Sequence, residues 1–477
     1  MTAESTAGTA GNTAGTAAGE ADSGTDVARA EELSGALAAD GVRGVALGYV
    51  DTAGVTRVKG IPVTRLSSAV RRGVGMSPVF DTFLADDSIV STDVLGGPDG
   101  DLRLFPDLTG LVALAGQPGW AWAPVDRRQQ DGEPHPGCSR TFLRRMAARA
   151  DEAGIAVRAA VEIEWVLGRD DVPAGEFAPA VSGPAYGMTR IVEQSELTAD
   201  LLAALAAEGI DVDQLHPEYA PGQFELSVGA LDPVAAADRS VLARQTIRAV
   251  ARRHGLRVSF SPSVVAGTVG NGGHVHLSAW RDGASLHAGG DGPYGLTKDG
   301  EAFVAGLLRE LLPLAALATP SPASLLRLQP SHWAGVFTCW GREAREAAVR
   351  LVTGVAGDEP RAANVEVKCA DLAANPYLLI GGLIAAGLAG VADGLSLPPE
   401  TTGDPAGLGD DERERRGIVR LPTDLGDVVD HFAGSELLRD ALGPVLADAV
   451  VAVRRGEQAR MADATPDDVA AAYRWVY

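Results

Sequence analysis

A chain of 477 residues, 46% hydrophobic and 22% charged, has the balance of an ordinary globular protein and the length to bury a catalytic core. Its formal net charge of −22 excludes the clustered Lys/Arg surface that phosphate backbones and anionic membranes require, so neither nucleic acid nor membrane is an expected partner. The three cysteines, Cys138, Cys339 and Cys369, are widely spaced with no C-x-x-C pair, which points to a reducing cytoplasm rather than to a disulfide framework or a thiolate zinc site.

In chain order, residues 1–27 open on Ala, Gly, Thr and Ser without an apolar face and read as a disordered tail. Residues 28–130 read as a small, mostly β domain. Val42–Val63 carries β-branched runs on either side of the turn-like Asp51–Gly54, which predicts a hairpin, and turn residues around Gly97–Asp107 flank another short strand. From 131 to 477, helical patterns such as FLRRMAARADEAG and LTADLLAALAAEG alternate irregularly with short strands, an α+β arrangement built on an antiparallel sheet. The longest apolar run, the 15 residues Leu378–Ala392, is too short to span a bilayer and reads as a buried helix. Residues 400–416 read as a solvated loop, and the last 55 residues as helices.

Three strands share one pattern. VEIEW, GHVHL and VEVKC place Glu162/Glu164, His274/His276 and Glu366/Lys368 at i and i+2 amid apolar neighbours, so each pair occupies one face of its strand. A fourth segment, HPEYAPGQFE, adds Glu218 and Glu225 around a Pro-Gly turn. An amphipathic strand with glutamates on its wet face is commonplace, and spacing alone does not make these segments meet. If they do, at least five carboxylates share one site and raise one another's pKa, a repulsion that divalent cations relieve. Oxygen ligands with one or two imidazoles suit Mg²⁺ or Mn²⁺ better than zinc.

VEIEW at 161–165, EYAPGQFE at 218–225, VGNGGHVHLS at 269–278, REAREAAVR at 342–350 and VEVKCADLAANPYL at 365–378 stand in an order that resembles the glutamine synthetase family. The resemblance runs from about residue 40 to the end of the chain. It implies a small β-grasp-like domain followed by a catalytic domain whose curved antiparallel sheet forms a funnel. It also implies a homo-oligomer, a dodecamer of two stacked hexamers, with each site completed by a neighbour's small domain. The implied chemistry is an ATP-dependent ligase that activates L-glutamate as γ-glutamyl phosphate and transfers it to an amine. Glu164, Glu218 and Glu225 would hold one metal ion, and Glu162, His274 and Glu366 a second. Asp213, His276 and Ser278 would contact ATP, Arg345 and Arg350 the transferring phosphate, and Gly270, Arg327 and Lys368 the glutamate.

The departures from the family pattern fall on the amine side. The flap glutamate of enzymes that use ammonia lies six residues after the substrate arginine, and that position here is Trp333. Lys368 replaces an arginine, Val269 an asparagine, and VFDTFLADDSI stands in place of the FDGSS segment, leaving Asp81, Asp87 or neither to complete the neighbouring site. This asymmetry implies a γ-glutamyl-amine ligase acting on a non-ammonia amine such as a polyamine or ethanolamine, whose carbon chain or ammonium a tryptophan face can contact. A true glutamine synthetase and a catalytically inactive relative with a structural or sensing role are the alternatives.

Overall fold

The computed structural model describes residues 14–173 and 175–477. The described residues begin with a helix, Ala14–Ala39, so residues 14–27 of the expected disordered tail are helical instead; residues 1–13 lie outside the described residues. Frequent alanine, the best helix former, accounts for helix where the absence of an apolar face predicted none. Near its end Leu37 packs on the small domain and the Ser34 hydroxyl donates to the Val63 carbonyl.

The small domain is one sheet ordered β2 (Thr56–Pro62), β1 (Gly44–Val50), β6 (Trp120–Arg128), β4 (Leu102–Pro106), β3 (Val74–Met76), with the short β5 (Val112–Ala113) also paired to β6. The predicted hairpin is β1–β2, antiparallel from Gly44↔Pro62 to Val50↔Thr56, with Gly54 in the left-handed region at its turn. β1 and β6 run parallel. Asp81 is buried between Arg127 (2.5 Å) and His135 (3.0 Å), whereas Asp87 is exposed and pairs with Arg57.

The catalytic region carries two sheets. One is ordered β11 (Leu256–Ser259), β8 (Ile163–Arg169), β10 (Gln223–Val228), β9 (Val212–Pro217), all antiparallel. The other is ordered β13 (Ala284–Ser285), β12 (Val275–Arg281), β16 (Asn364–Val367), β15 (Ala347–Val352), β14 (Phe337–Arg342), with β7 (Ala156–Val161) on the other side of β12. One pair, β14–β15, is parallel, which departs from a wholly antiparallel sheet. The chain crosses from one sheet to the other at Glu162, between the end of β7 and the start of β8. Helices pack behind both sheets in one core that holds Trp165, Phe142, Phe224 and Phe303.

The apolar run lies within the helix Pro376–Asp393, which passes a length-and-composition test for a membrane span but is buried in the protein core. Asn375 caps it with two backbone N–H bonds while donating to the Val50 and Asp51 carbonyls, and the Tyr377 hydroxyl donates to buried Asp238 (2.7 Å). Arg140 reaches the same Asp238 and also Asp107 and Asp126 of the small domain, all within 2.8 Å. The ANPYL segment is therefore a joint between the two domains. The expected loop at 400–416 contains a short helix, Asp410–Arg415, whose acidic first turn and basic last turn complement the helix dipole. Four helices from Leu425 to Tyr473 close the chain, as the sequence predicts.

Candidate active site

Strand register decides which polar side chains meet. In the four-stranded sheet Glu225 of β10 lies opposite Glu164 of β8 on one side and His216 of β9 on the other, a row of three polar residues across three strands. In the other sheet Arg350 of β15, Glu366 of β16 and His276 of β12 form a second row. Glu164, His216, Glu218, Glu225, Arg350 and Glu366 line one cavity of about 560 Å³, together with Glu162, His274, Arg327, Arg345, Lys368, Gly270 and Trp333.

In each of two sets, Glu162 with His274 and Glu366, and His216 with Glu218 and Glu225, the ligand atoms lie within 4.8 Å of one another. The first is the set the resemblance implies. In the second, His216 stands with Glu218 and Glu225 where Glu164 is expected; Glu164 lies between the sets, 3.8 Å from His274, its carboxylate accepting from Gln223 (3.0 Å). Gly272 closes this corner. A Cβ there would sit 2.5 Å from the His274 imidazole, 2.6 Å from Glu164 and 3.0 Å from Arg327, so only glycine lets the three converge.

The two sets differ in compensation. Burial works to raise Glu366, but Lys368 (2.9 Å), His276 and His274 hold its carboxyl at about 2. Burial likewise opposes ionisation of Glu162, but bonds from His274 (2.7 Å) and His276 (3.1 Å) keep it well below the ordinary range. Burial and the Lys368 ammonium lower His274, leaving a neutral imidazole fit to bind a cation. Across the cavity, burial and the Glu218 and Glu162 charges push Glu164 up to about 7 against the pull of Arg327. Burial raises Glu218 and Glu225 as well, each aided by neighbouring carboxylates and only partly offset by His216. Three carboxyls whose ionised forms Arg327 and His216 compensate only in part are what a divalent ion at that place would relieve. The donors, mostly carboxylate oxygens with an imidazole in each set, fit Mg²⁺ or Mn²⁺, and no cysteine joins either set among the described residues.

Arg327 is buried at the end of the helix Pro322–Arg327, its guanidinium donating to the Lys368 and Cys369 carbonyls (3.0 and 2.9 Å) and lying 3.2 Å from His274. Arg350 bonds Glu366 (2.9 Å) and Glu343 (2.8 Å). Arg345 stands exposed on the turn between β14 and β15 and makes no side-chain hydrogen bond or ion pair among the described residues. His276 and Ser278 continue along the same face of β12 just beyond the cavity, His276 held by Glu162 and Asn364 and Ser278 accepting from the Trp280 indole. Asp213 does not join them. Gln214 and His216 line the cavity, whereas Asp213, at the register shift of the β9–β10 pair, is exposed outside it.

Trp333 lines the cavity mouth and stacks on Tyr219 (centroids 4.5 Å, planes 21° apart). Tyr219 meets Tyr186 edge-on (5.7 Å), and Tyr186 stacks on His216 (5.0 Å) while its hydroxyl donates to Glu218 (2.5 Å). A continuous aromatic wall thus runs from the carboxylates to the mouth. Sequence reasoning missed most of it. Tyr219 and His216 were visible inside the HPEYAPGQFE segment, but Tyr186 comes from an irregular loop with no pattern to mark it.

The glutamine synthetase catalytic-domain family model matches residues 136–473, and the glutamine synthetase N-terminal domain model matches residues 33–135. The chain is 64% identical to the gamma-glutamylpolyamine synthetase GlnA3 of Streptomyces coelicolor, over 95% of this chain and 97% of that one. It is 30% identical to a glutamine synthetase of Clostridium saccharobutylicum over 75% of this chain and 81% of the relative. Among solved structures, a glutamine synthase homolog superposes with a TM-score of 0.81 at 32% identity, covering 91% of this chain and 99% of that one. An ADP complex of GmaS superposes with a TM-score of 0.80 at 27% identity, over 91% and 97%.

Proposed function

The chain belongs to the glutamine synthetase family, and we propose that it joins the γ-carboxylate of L-glutamate to one amino group of a polyamine as ATP is cleaved. The observation that carries this reading is the aromatic wall of Trp333, Tyr219 and Tyr186 beside the clustered carboxylates and the arginines that line the same cavity. A wall of that kind suits a carbon chain bearing an ammonium, and ammonia would leave it unfilled. The name of the relative at 64% identity agrees with it.

A carboxylate is a poor acyl donor, so its oxygen first displaces ADP from the γ-phosphorus of ATP and forms γ-glutamyl phosphate. The amine nitrogen then attacks the acyl carbon, phosphate leaves, and the nitrogen gives up a proton. Two bound Mg²⁺ or Mn²⁺ ions, one held by Glu162, His274 and Glu366 and one by Glu218, Glu225 and Glu164 or His216, would neutralise phosphate oxygens and draw together the two anions. Arg345, unpartnered at the cavity mouth, and Arg350, anchored on Glu366, are the groups for the transferring phosphoryl oxygens. His276 and Ser278 extend the nucleotide side along β12. Arg327 and Lys368 face the glutamate carboxylates, and Gly270 offers backbone beside them. On the amine side, Tyr186 and Glu218 stand together where a proton leaves the nucleophile.

The assembly in this reading is a homo-oligomeric ring, two stacked hexamers, working in the cytoplasm where ATP and glutamate are supplied. Asp87, exposed at the surface in a pair with Arg57, is the aspartate placed to reach a neighbouring site, because Asp81 is enclosed by Arg127 and His135.

Phosphate release with L-glutamate, ATP and Mg²⁺ tests the reading, with 1,4-diaminobutane, spermidine, ethanolamine and ammonium compared at equal concentration. The expected result is turnover with the polyamines, a product heavier by one glutamyl residue in mass spectrometry, and little turnover with ammonium. Preference for ammonium overturns the proposal.

A further inference from the structure

The flap that carries Trp333 is held in an uncommon backbone conformation. Ser331, Trp333 and Gly335 alternate with their neighbours at φ of 61°, 53° and 62°, in the left-handed region that a bulky L-residue avoids. Such conformations persist only where the surroundings enforce them. Two carboxylates supply the enforcement. Asp404 accepts the Ser331 hydroxyl at 2.6 Å, and Glu346 accepts the Trp333 backbone N–H at 2.8 Å. Glu346 is half-buried in the turn just before β15, next to cavity-lining Arg345, and lies near Lys368, His332 and Asp404. No role has so far fallen to it.

With its amide tied to Glu346, Trp333 presents its ring to Tyr219. Both rings remain 40% exposed, which leaves faces open to the cavity. We infer that Glu346 is a positioning residue for amine selectivity: by accepting the Trp333 N–H it holds the left-handed flap and keeps the Trp333–Tyr219 pair together as the wall along which the amine's carbon chain lies. The position that the family resemblance gives to a flap carboxylate in ammonia-using enzymes is here an indole, and a carboxylate from the turn before β15 fastens the backbone of that residue. The substrate class rests on the polyamine reading above; the clasp itself does not.

Two measurements on the full chain separate the two. Hydrogen exchange at the Trp333 amide reports the clasp without any substrate. Glu346→Ala is expected to speed exchange of the 329–335 segment about ten- to a hundredfold, and Glu346→Gln, which keeps an acceptor oxygen, to restore most of the protection. Steady-state kinetics with 1,4-diaminobutane then reads the consequence. Glu346→Ala is expected to raise KM for the diamine by a similar factor while KM for glutamate and for ATP stays within about twofold, and Glu346→Gln to fall near wild type. Unchanged exchange at 329–335 overturns the clasp. Faster exchange with an unchanged diamine KM, or a parallel rise in all three KM values, overturns the selectivity role and leaves Glu346 a fold residue. A wild-type enzyme that ignores the diamine defeats the polyamine reading and the selectivity role with it, while the exchange result still decides the clasp.

Discussion

Glu164, Glu225 and Glu366 sit on paired strands, in cross-strand rows set by the ladder, and Glu162 and His274 flank the strand ends, joined by a backbone hydrogen bond. Tyr186 and Trp333, on the other side of the same cavity, come from loops and hold φ of 55° and 53°. One half is charged, compensated by histidine, lysine and arginine, and rigid by construction. The other half is aromatic, uncharged at its surface, and kept in shape by single side-chain clasps from Glu218, Glu346 and Asp404. The difference shows where each kind of change is tolerated. Phosphoryl transfer needs charges fixed to within fractions of an ångström, which strands provide, whereas the choice of amine rests on loop residues that alter without disturbing the sheet.

Substitutions on either side test how separate the halves are. The largest effect is expected for Glu218→Ala, which removes a carboxylate common to the metal set and to the Tyr186 bond. Loss of several kcal/mol of transition-state stabilisation corresponds to about a thousandfold or more in kcat. Thermal unfolding without metal is expected to stay near wild type, since a repelling charge is also removed. Near-wild-type turnover at saturating Mg²⁺ would break the assignment of the charged half.

A smaller effect belongs to the aromatic half. Trp333→Glu restores an anion and vacates space, so the ratio of kcat/KM for a polyamine to that for ammonium is expected to fall. A cation–π contact of about 0.5–2 kcal/mol corresponds to roughly two- to thirtyfold. Both values dropping together would mean that the halves are not independent and that Trp333 supports the charged side.

Loss of activity in mild acid would have two sources, titration in the cavity and titration in the fold, and His287 separates them. It is fully buried, neither ring nitrogen has a hydrogen-bond partner among the described residues, and burial pushes its pKa down to about 4. The folded state therefore binds the proton later than the unfolded state, whose imidazole titrates near 6.5. Above that value both states are neutral and His287 costs nothing. As pH falls from about 6.5 toward 4, the unfolded state gains the proton first and stability declines, by about 2 kcal/mol at pH 5. His287→Leu is expected to leave Tm at pH 7.5 almost unchanged and to shrink its fall between pH 7.5 and 5. An identical fall in both proteins would mean that the imidazole takes up a proton without loss of fold, and acid inactivation would then trace to the cavity.

Much of the charged half was legible in one dimension. Alternation along a strand is a local rule, so VEIEW, GHVHL and VEVKC named their inward faces at once, and the hairpin at 42–63 and the buried helix at 376–393 followed from equally local patterns. ANPYL carried the family resemblance, yet its Asn and Tyr turned out to fasten a helix to the small domain, which no spacing reveals. Convergence was beyond the sequence altogether. Whether Glu225 faces Glu164 or a neighbour two residues away is set by strand register, and register depends on which apolar faces find each other in the folded core. For the same reason Tyr186, Glu346 and the stacking of Trp333 on Tyr219 belong to the tertiary structure alone: positive-φ loops have no periodicity, and their conformation is held by partners between 13 and 114 residues away.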